Sequence, residues 1–390
     1  MGRVGKAREA SLPELAALSR RSFLSSAFLL PTLFAQTASA RFISVVPLAS
    51  PGGQTPPFGR LLGAGLDARL FTDLSLLSAD KPETLVTPTD RVFIRTAFPS
   101  APRRTDPWII RTGGLVRTPV DLNMRAWDVI APPERYLIEC SGNADQTNYG
   151  LMSVADWQGV PLSSVVDRLQ PSSASYRVLV SGVDDEKTPS RTSVPGASWI
   201  FSRDDVQRAL LATAMNGAPL PRDHGFPIRL VVPGWYGCVC IKWADRIELV
   251  TDDAPATAHM REFAARTHQD PLARLARDFT PAVIDTAAMP VRVEKWLIAG
   301  RIAYRVVGVV WGGPEPTNAL SIRFRSGEPW TRVDDCPLPT STLTWSLWSH
   351  TWRPAATGRY QIVLRVDDPT IRTRRLDLFF YVREVEIDEV

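Results

Sequence analysis

The stretch "RYLIECSGNADQTNYG", residues 135–150, decides how the chain is read. An apolar run, Tyr136-Leu137-Ile138, reads as a strand that breaks at Cys140 into the small and polar residues Ser141-Gly142-Asn143. A free cysteine is ordinarily a small buried hydrophobe. A strand that stops on cysteine and then turns can instead present a thiol, and the rest of the chain has to decide between the two.

With 390 residues the chain exceeds the roughly 250–300 at which single cores stop growing, so two domains are expected. A content of 44% hydrophobic and 22% charged residues with a net charge of +4 is that of a globular protein and points neither to nucleic-acid binding nor to disorder. The 33 prolines against 24 glycines imply many breaks and no long helical bundle, because proline fixes φ and lacks a backbone donor. Four cysteines, Cys140, Cys238, Cys240 and Cys336, are too few for a disulfide scaffold. No C-x-x-C, C-x-x-C-H or H-E-x-x-H occurs, so a zinc ribbon, a covalently attached c-type haem and a zincin-like protease all lack their sequence signal.

Near the N-terminus, "LSRRSFLSSAFLLPTLFAQTASARF" carries Arg20-Arg21 ahead of Phe23-Leu24, an apolar run to Ala35, and small residues at Ala38-Ser39-Ala40. The order is that of a secretory signal, and it resembles a twin-arginine export signal. Pro31 interrupts the run, which is too short for the roughly 20 apolar residues of a spanning helix. The expectation is a signal peptide over 1–40, a mature chain from about Arg41 without a membrane span, and a periplasmic location. Export by that route is associated with proteins that fold and load a cofactor first.

Residues 41 to about 90 read as an irregular, Pro- and Gly-rich lead-in. There "GAGLDA", Gly63 to Ala68, matches a dinucleotide-binding pattern but has no strand before it, so it is taken as chance. Further on, "WIIRTGGLV", "RYLIEC", "YRVLVSGV", "IRLVVPG" and "CVCIKWADRIELV" read as strands. The stretch "SRDDVQRALLATAMNG" reads as a helix capped by Ser202 and stopped at Asn216-Gly217. After about 285 the pattern changes. Leu320, Ile322 and Phe324, and then Tyr360, Ile362, Leu364 and Val366, alternate with polar residues, and "LDLFFYVREVEI" ends the chain in similar style. The fold class expected is α+β: a mixed domain over 41–285, followed by an all-β immunoglobulin-like sandwich over 286–390.

The segment "MNGAPLPRDHGFPIRLVVPGWYGCVCIKWADRIELV", Met215 to Val250, adds His224, Arg229 and Lys242 around Pro and Gly breaks. Arg and Lys at strand ends suit an anionic group such as a phosphate. Taken singly, each could equally be a solvated surface residue.

Here a resemblance becomes specific. "ECSGN" with "GLMSVADWQGVPLSSVV", and "MNGAPLPRDHGFPIRLVVPGWYG" with "IKW", resemble the molybdenum-cofactor domain of the sulfite oxidase family over about Arg91 to Val250. The segment "VVGVVWGG…YQIVLRV" resembles that family's immunoglobulin-like dimerisation domain. The resemblance implies that Cys140 is the thiolate that ligates molybdenum, a soft sulfur donor beside the sulfur ligands of the pterin. It implies that His224, Arg229 and Lys242 contact the molybdopterin and its phosphate, and that Arg95 in "FIRTAFPSAP" receives an anionic substrate.

Departures from the family are also legible. Ala144 and Asp145 stand where an arginine follows the C-x-G-N turn. The family's pocket tyrosine has no counterpart in "ATAHMREFAARTH", where Arg261, Arg266, His259 and His268 are the polar groups at hand. The arginine expected near "WGG" is also absent. Cys238 and Cys240, two apart on an expected strand, are read as packing residues, Cys336 as structural or free, and the tryptophans of "TLTWSLWSHTW" as core.

The expected function is an exported molybdenum-molybdopterin oxidoreductase that transfers an oxygen atom to or from a small oxyanion such as sulfite. No haem segment is evident in the chain, so electrons would pass to an external carrier such as a cytochrome c, and the family implies a homodimer. The alternatives are an S-oxide or N-oxide reductase, which tolerates a less cationic pocket, and a non-catalytic extracytoplasmic binding protein.

Overall fold

The computed structural model describes residues 40–51, 68–95, 107–123, 127, 130–143, 150–174, 176–183 and 197–390. The export segment, most of "GAGLDA", and Ala144 and Asp145 lie outside the described residues. What is described is mostly β, with three α-helices of only six or seven residues. The helical share of the expected α+β mixture is therefore small.

The C-terminal part is two antiparallel sheets. One is four-stranded, in the order Ala40–Val46, Ala287–Ile298, Arg301–Trp311, Ser346–Trp352. The other is five-stranded, in the order Thr331–Arg332, Leu320–Arg323, Gly358–Val366, Arg383–Ile387, Leu48–Ala49. Period-two alternation turns one side of each strand inward. Val293, Tyr304, Val306 and Val309 from the first sheet meet Ile322, Ile362, Leu364 and Val385 from the second in one buried core. The expected core tryptophans join it: Trp345 and Trp348 are buried, and Trp352 stacks on Phe324 with ring centroids 3.9 Å apart.

Two differences from the sequence reading appear at the chain ends. Residues 41–49, read as irregular, together with Ala40, read as the end of the signal segment, supply a strand to each of these sheets. "LDLFFYVREVEI" is a strand only over Arg383–Ile387, because Leu376–Val382 is taken up by turns.

Two further sheets carry the preceding chain. In one, Ser198–Phe201, Arg177–Gly182, Ala244–Val250, Ile109–Gly114 and Asp121–Asn123 lie side by side, with Ala244–Val250 parallel to Ile109–Gly114. In the other, Ala218–Pro219, Leu210–Met215, Met152–Pro161 and Glu134–Glu139 follow in order, and Arg229–Val231 also pairs with Leu210–Met215.

The expected helix from Ser202 to Gly217 is corrected here. Ser202 does cap a helix, with a reciprocal bond to Asp205, but the helix ends at Arg208 and Leu210–Met215 is a strand. Asn216 and Gly217 both have positive φ, 52° and 76°. They form the two-residue turn of a hairpin into Ala218–Pro219. The expected strand from Cys238 is likewise shorter: it runs over Ala244–Val250, and Cys238–Trp243 is turn and bridge.

Gly308 sits where the Arg301–Trp311 strand crosses Trp348, and a Cβ built there would overlap the indole and lie 2.5 Å from the Met289 carbonyl oxygen. Gly308→Ala is therefore expected to destabilise the protein by about 1–3 kcal/mol. A lowered denaturant midpoint at constant slope would show it; an unchanged midpoint would mean that this crossing has room to spare.

Candidate functional site

The Glu134–Glu139 strand delivers Cys140 to the wall of one cavity. Cys140 is buried; its N–H donates to the Leu151 carbonyl (2.9 Å), and its carbonyl accepts from the Asn143 N–H (2.9 Å). The Gly142 N–H donates toward Sγ at 3.4 Å, so the turn after the strand wraps the sulfur in backbone. A Cβ on Gly142 would lie 3.6 Å from that sulfur.

Arg95, His224, Arg229 and Lys242 line the same cavity. Protein atoms leave about 960 Å³ there, part of it open to solvent. All five residues singled out in the sequence are thus brought together.

Local folding explains how. The Arg222–His224 turn ends at Gly225 with φ 108°, a left-handed conformation that L side chains rarely adopt. A Cβ there would sit 3.0 Å from Arg229 Cβ and 3.3 Å from Lys242 Cβ. Arg229 and Lys242 face each other across a β-bridge. Lys242 Nζ donates to the Asp223 carbonyl at 2.7 Å. Arg95 ends the short strand Ile94–Arg95 and is half-buried.

Arg229 is the electrostatic anomaly. It is 6% exposed and lies over the Trp157 ring at 5.2 Å. Its terminal nitrogens donate to the carbonyls of His224 (3.3 Å) and Cys240 (3.0 Å), and Nε has no partner. Among the described residues no carboxylate pairs with it. Burial pushes its pKa below the usual arginine range, opposed by the neighbouring Cys240.

Cys238 and Cys240 also line the cavity, which replaces the expectation of a shared strand face. Burial pushes the Cys238 thiol far up, so it stays protonated. Of the four polar groups weighed for the missing tyrosine, His259 alone lines this cavity. Arg261 donates to the Ala256 carbonyl, Arg266 covers Phe263, and His268 pairs with Asp285.

His259 Nε2 is 2.9 Å from the Cys238 carbonyl. A carbonyl can only accept, so Nε2 carries the hydrogen and Nδ1, which has no partner, is left as a bare acceptor.

Sequence reading missed what lies behind Cys140. Glu139 is fully buried and is held by Arg374 through two bonds of 2.8 and 2.7 Å, by Trp311 Nε1 at 2.8 Å, and by Asn143 Nδ2 at 3.1 Å. The acid directly before the cysteine was the signal at hand.

The family described as oxidoreductase molybdopterin binding domain matches residues 97–258. Human mitochondrial sulfite oxidase is 28% identical over 211 residues, covering 51% of this chain and 38% of the human protein. Residues 97–258 are thus a molybdopterin-binding oxidoreductase domain of the kind found in the sulfite oxidase family. Other relatives align similarly. Chicken (Gallus gallus) sulfite oxidase is 24% identical over 316 residues, 73% of this chain and 67% of that protein. The NADH nitrate reductase 1 of Nicotiana tabacum is 28% identical over 204 residues, 45% and 22% of the two chains.

The chain thus spans about two-fifths of the length of the human relative and less of the plant one. In fold it is similar to the sulfane dehydrogenase SoxCD from Paracoccus pantotrophus, with a TM-score of 0.60 at 17% identity and coverage of 93% of both chains.

The residues fit the family's molybdenum-pterin group. An unpartnered buried guanidinium nitrogen suits a phosphate. A thiol beside a backbone-lined turn suits a soft metal.

The neutral ring of His259 has a measurable consequence. Desolvation pushes its pKa from 6.5 to about 4. The unfolded chain takes up a proton near pH 6.5 that the folded chain refuses until about pH 4. The ring's contribution is therefore complete above pH 6.5 and is lost as pH falls through that window, by about 3 kcal/mol at pH 4. His259→Gln is expected to flatten the pH dependence of unfolding between pH 7 and 4. An unchanged slope would contradict a buried neutral ring.

Proposed function

We propose that this protein is an exported molybdenum-molybdopterin oxidoreductase that transfers an oxygen atom to or from a small oxyanion such as sulfite. Electrons would pass to an external carrier such as a cytochrome c. The observation that carries the reading is the meeting, in one cavity, of the Cys140 thiol with Arg95, His224, Arg229 and Lys242. The molybdenum-pterin group would supply the two-electron redox change and the oxygen transfer.

The protein's own residues do the rest. Cys140 offers the thiolate to the metal. His224, Arg229 and Lys242 hold the phosphate end, Arg229 with its unpaired Nε. Arg95 holds the anionic substrate by charge-assisted hydrogen bonds. The same proposal includes a twin-arginine signal over 1–40, a periplasmic location, a cofactor domain over 41–285, and an immunoglobulin-like sandwich over 286–390 that pairs two copies. No helix among the described residues is long and apolar enough to cross a membrane.

The neutral His259 in the cavity favours one second reading, reduction of an S-oxide or N-oxide, a substrate with no net charge that needs fewer cations than sulfite does. The name of the structural neighbour adds a sulfane sulfur to the substrates worth assaying.

The test is dye or cytochrome reduction by cofactor-loaded protein with sulfite, run beside a sulfane-sulfur donor and, in reverse, beside sulfoxides. Sulfite turnover is expected. Arg95→Met should raise KM by roughly 10- to 100-fold, the range of a hydrogen bond to a charged group, with a smaller change in kcat. Loaded protein that is inert to sulfite but reduces a sulfoxide would replace the first reading with the second. Loaded protein inert to all three substrates would end both.

A further inference from the structure

Glu139 stands one residue before the thiol, and nothing in the reaction proposed above uses it. Its carboxylate is 0% exposed and is saturated. Arg374 meets both oxygens at 2.8 and 2.7 Å, Trp311 Nε1 meets Oε2 at 2.8 Å, and Asn143 Nδ2 meets Oε1 at 3.1 Å. Arg374 lies 235 residues downstream in sequence. Its own N–H donates to the Thr286 carbonyl, and Tyr381 Oη lies 3.0 Å from its guanidinium, so it is fixed in turn. A buried ion pair of this kind is weak evidence for stability, since apolar replacements are often as good. Its position suggests what else it does.

The carboxylate is linked to the thiol by a closed loop of bonds. Asn143 Nδ2 donates to Glu139 and Asn143 Oδ1 accepts from the Leu151 N–H at 2.9 Å, while Leu151 returns its carbonyl to the Cys140 N–H at 2.9 Å. On the other side, the Gly237 N–H donates to the Glu139 carbonyl at 2.6 Å. The turn from Cys140 to Asn143 is therefore held through Asn143 by a carboxylate whose two other donors are Trp311, at the end of the Arg301–Trp311 strand, and Arg374, in the connection between Gly358–Val366 and Arg383–Ile387. A thiol that must meet a metal at bond length gains from a fixed approach, as supporting bonds do for other metal ligands.

We propose that Glu139 is the positioning residue for Cys140, fixed by Arg374 and Trp311 and acting through Asn143. The capture of the metal by Cys140 then depends on chain that is remote in sequence. The inference rests on the function proposed above for the metal itself. The placement of the thiol can be read without any metal present.

Three variants separate positioning from simple tethering. Asn143→Ala cuts the link to the turn but leaves Glu139, Arg374 and Trp311 paired. Trp311→Phe removes one donor to the carboxylate. Glu139→Gln disturbs every bond at once. Two readouts are taken on the full-length chain: the rate of Cys140 alkylation by iodoacetamide in cofactor-free protein, with Cys240 as internal control, and the thiolate-to-metal absorption band of loaded protein.

Positioning predicts that Asn143→Ala and Trp311→Phe each raise Cys140 alkylation by at least about fivefold, the equilibrium factor of one typical hydrogen bond. Cys240 should stay within twofold, and the absorption band should shift in the same sense in both variants. Wild-type alkylation and an unmoved band in Asn143→Ala would overturn the proposal, leaving the pair a tether. If Glu139→Gln fails to fold, the two milder variants still decide. Wild-type protein that takes up no metal, yet shows the alkylation changes, would sink the functional reading while the positioning role stood.

Discussion

A buried positive charge with no counter-ion among the described residues is the constraint around which the rest of the site is arranged. Desolvating an ionised group costs several kcal/mol unless a partner returns it, and among the described residues Arg229 has two carbonyls and a tryptophan face. Arg374 shows what a settled buried arginine looks like in the same protein: both oxygens of Glu139 are engaged, and the pair holds its pKa well above the usual value. Both leave Nε without a hydrogen-bond partner, but among the described residues only Arg374 of the two has its charge matched by a carboxylate. The unmatched one lines the cavity that also holds a thiol, an imidazole and a lysine. Such a cluster makes sense if an anion finishes it, and a phosphate-bearing metal cofactor supplies both the anion for Arg229 and the metal for Cys140.

The backbone around these side chains follows from that need. The left-handed Gly225 brings the Arg222–His224 turn against the Arg229 and Lys242 bridge closely enough that a Cβ would press on both. The turn after Cys140 aims an N–H at the sulfur. These are short pieces of irregular chain at strand ends, where side chains can converge on one volume. The long strands Ala287–Ile298 and Arg301–Trp311 provide the rigid ground behind them, through Trp311.

The cavity residues were legible through the family resemblance of several quoted segments in order; taken singly, His224, Arg229 and Lys242 read equally well as surface residues, and Arg95 came from the resemblance alone. What the sequence hid has physical reasons. "LLATAM" has a composition that suits a helix, and only pairing with Met152–Pro161 and Arg229–Val231 makes it a strand; Asn216-Gly217, read as a helix stop, was a hairpin signal. The strand Ala40–Val46 has mostly exposed side chains, so it carries no inward alternation to read. Arg374 is one arginine in a run of several, and its tie to Glu139 spans too much sequence for any local pattern. Of the polar groups weighed for the missing tyrosine, His259 reaches the cavity, while Arg261, Arg266 and His268 are engaged elsewhere.

The central claim is that the cavity around Cys140 holds a molybdenum-pterin group, and the most direct test is metal and pterin analysis of protein purified from cells supplied with the cofactor. Wild-type protein is predicted to carry molybdenum and pterin near one per chain. Cys140→Ser should keep the pterin, held by His224, Arg229 and Lys242, but lose the cysteine thiolate's own contribution to the metal's absorption. Folded wild-type protein free of both molybdenum and pterin, under conditions that load a known member of the family, would contradict the account.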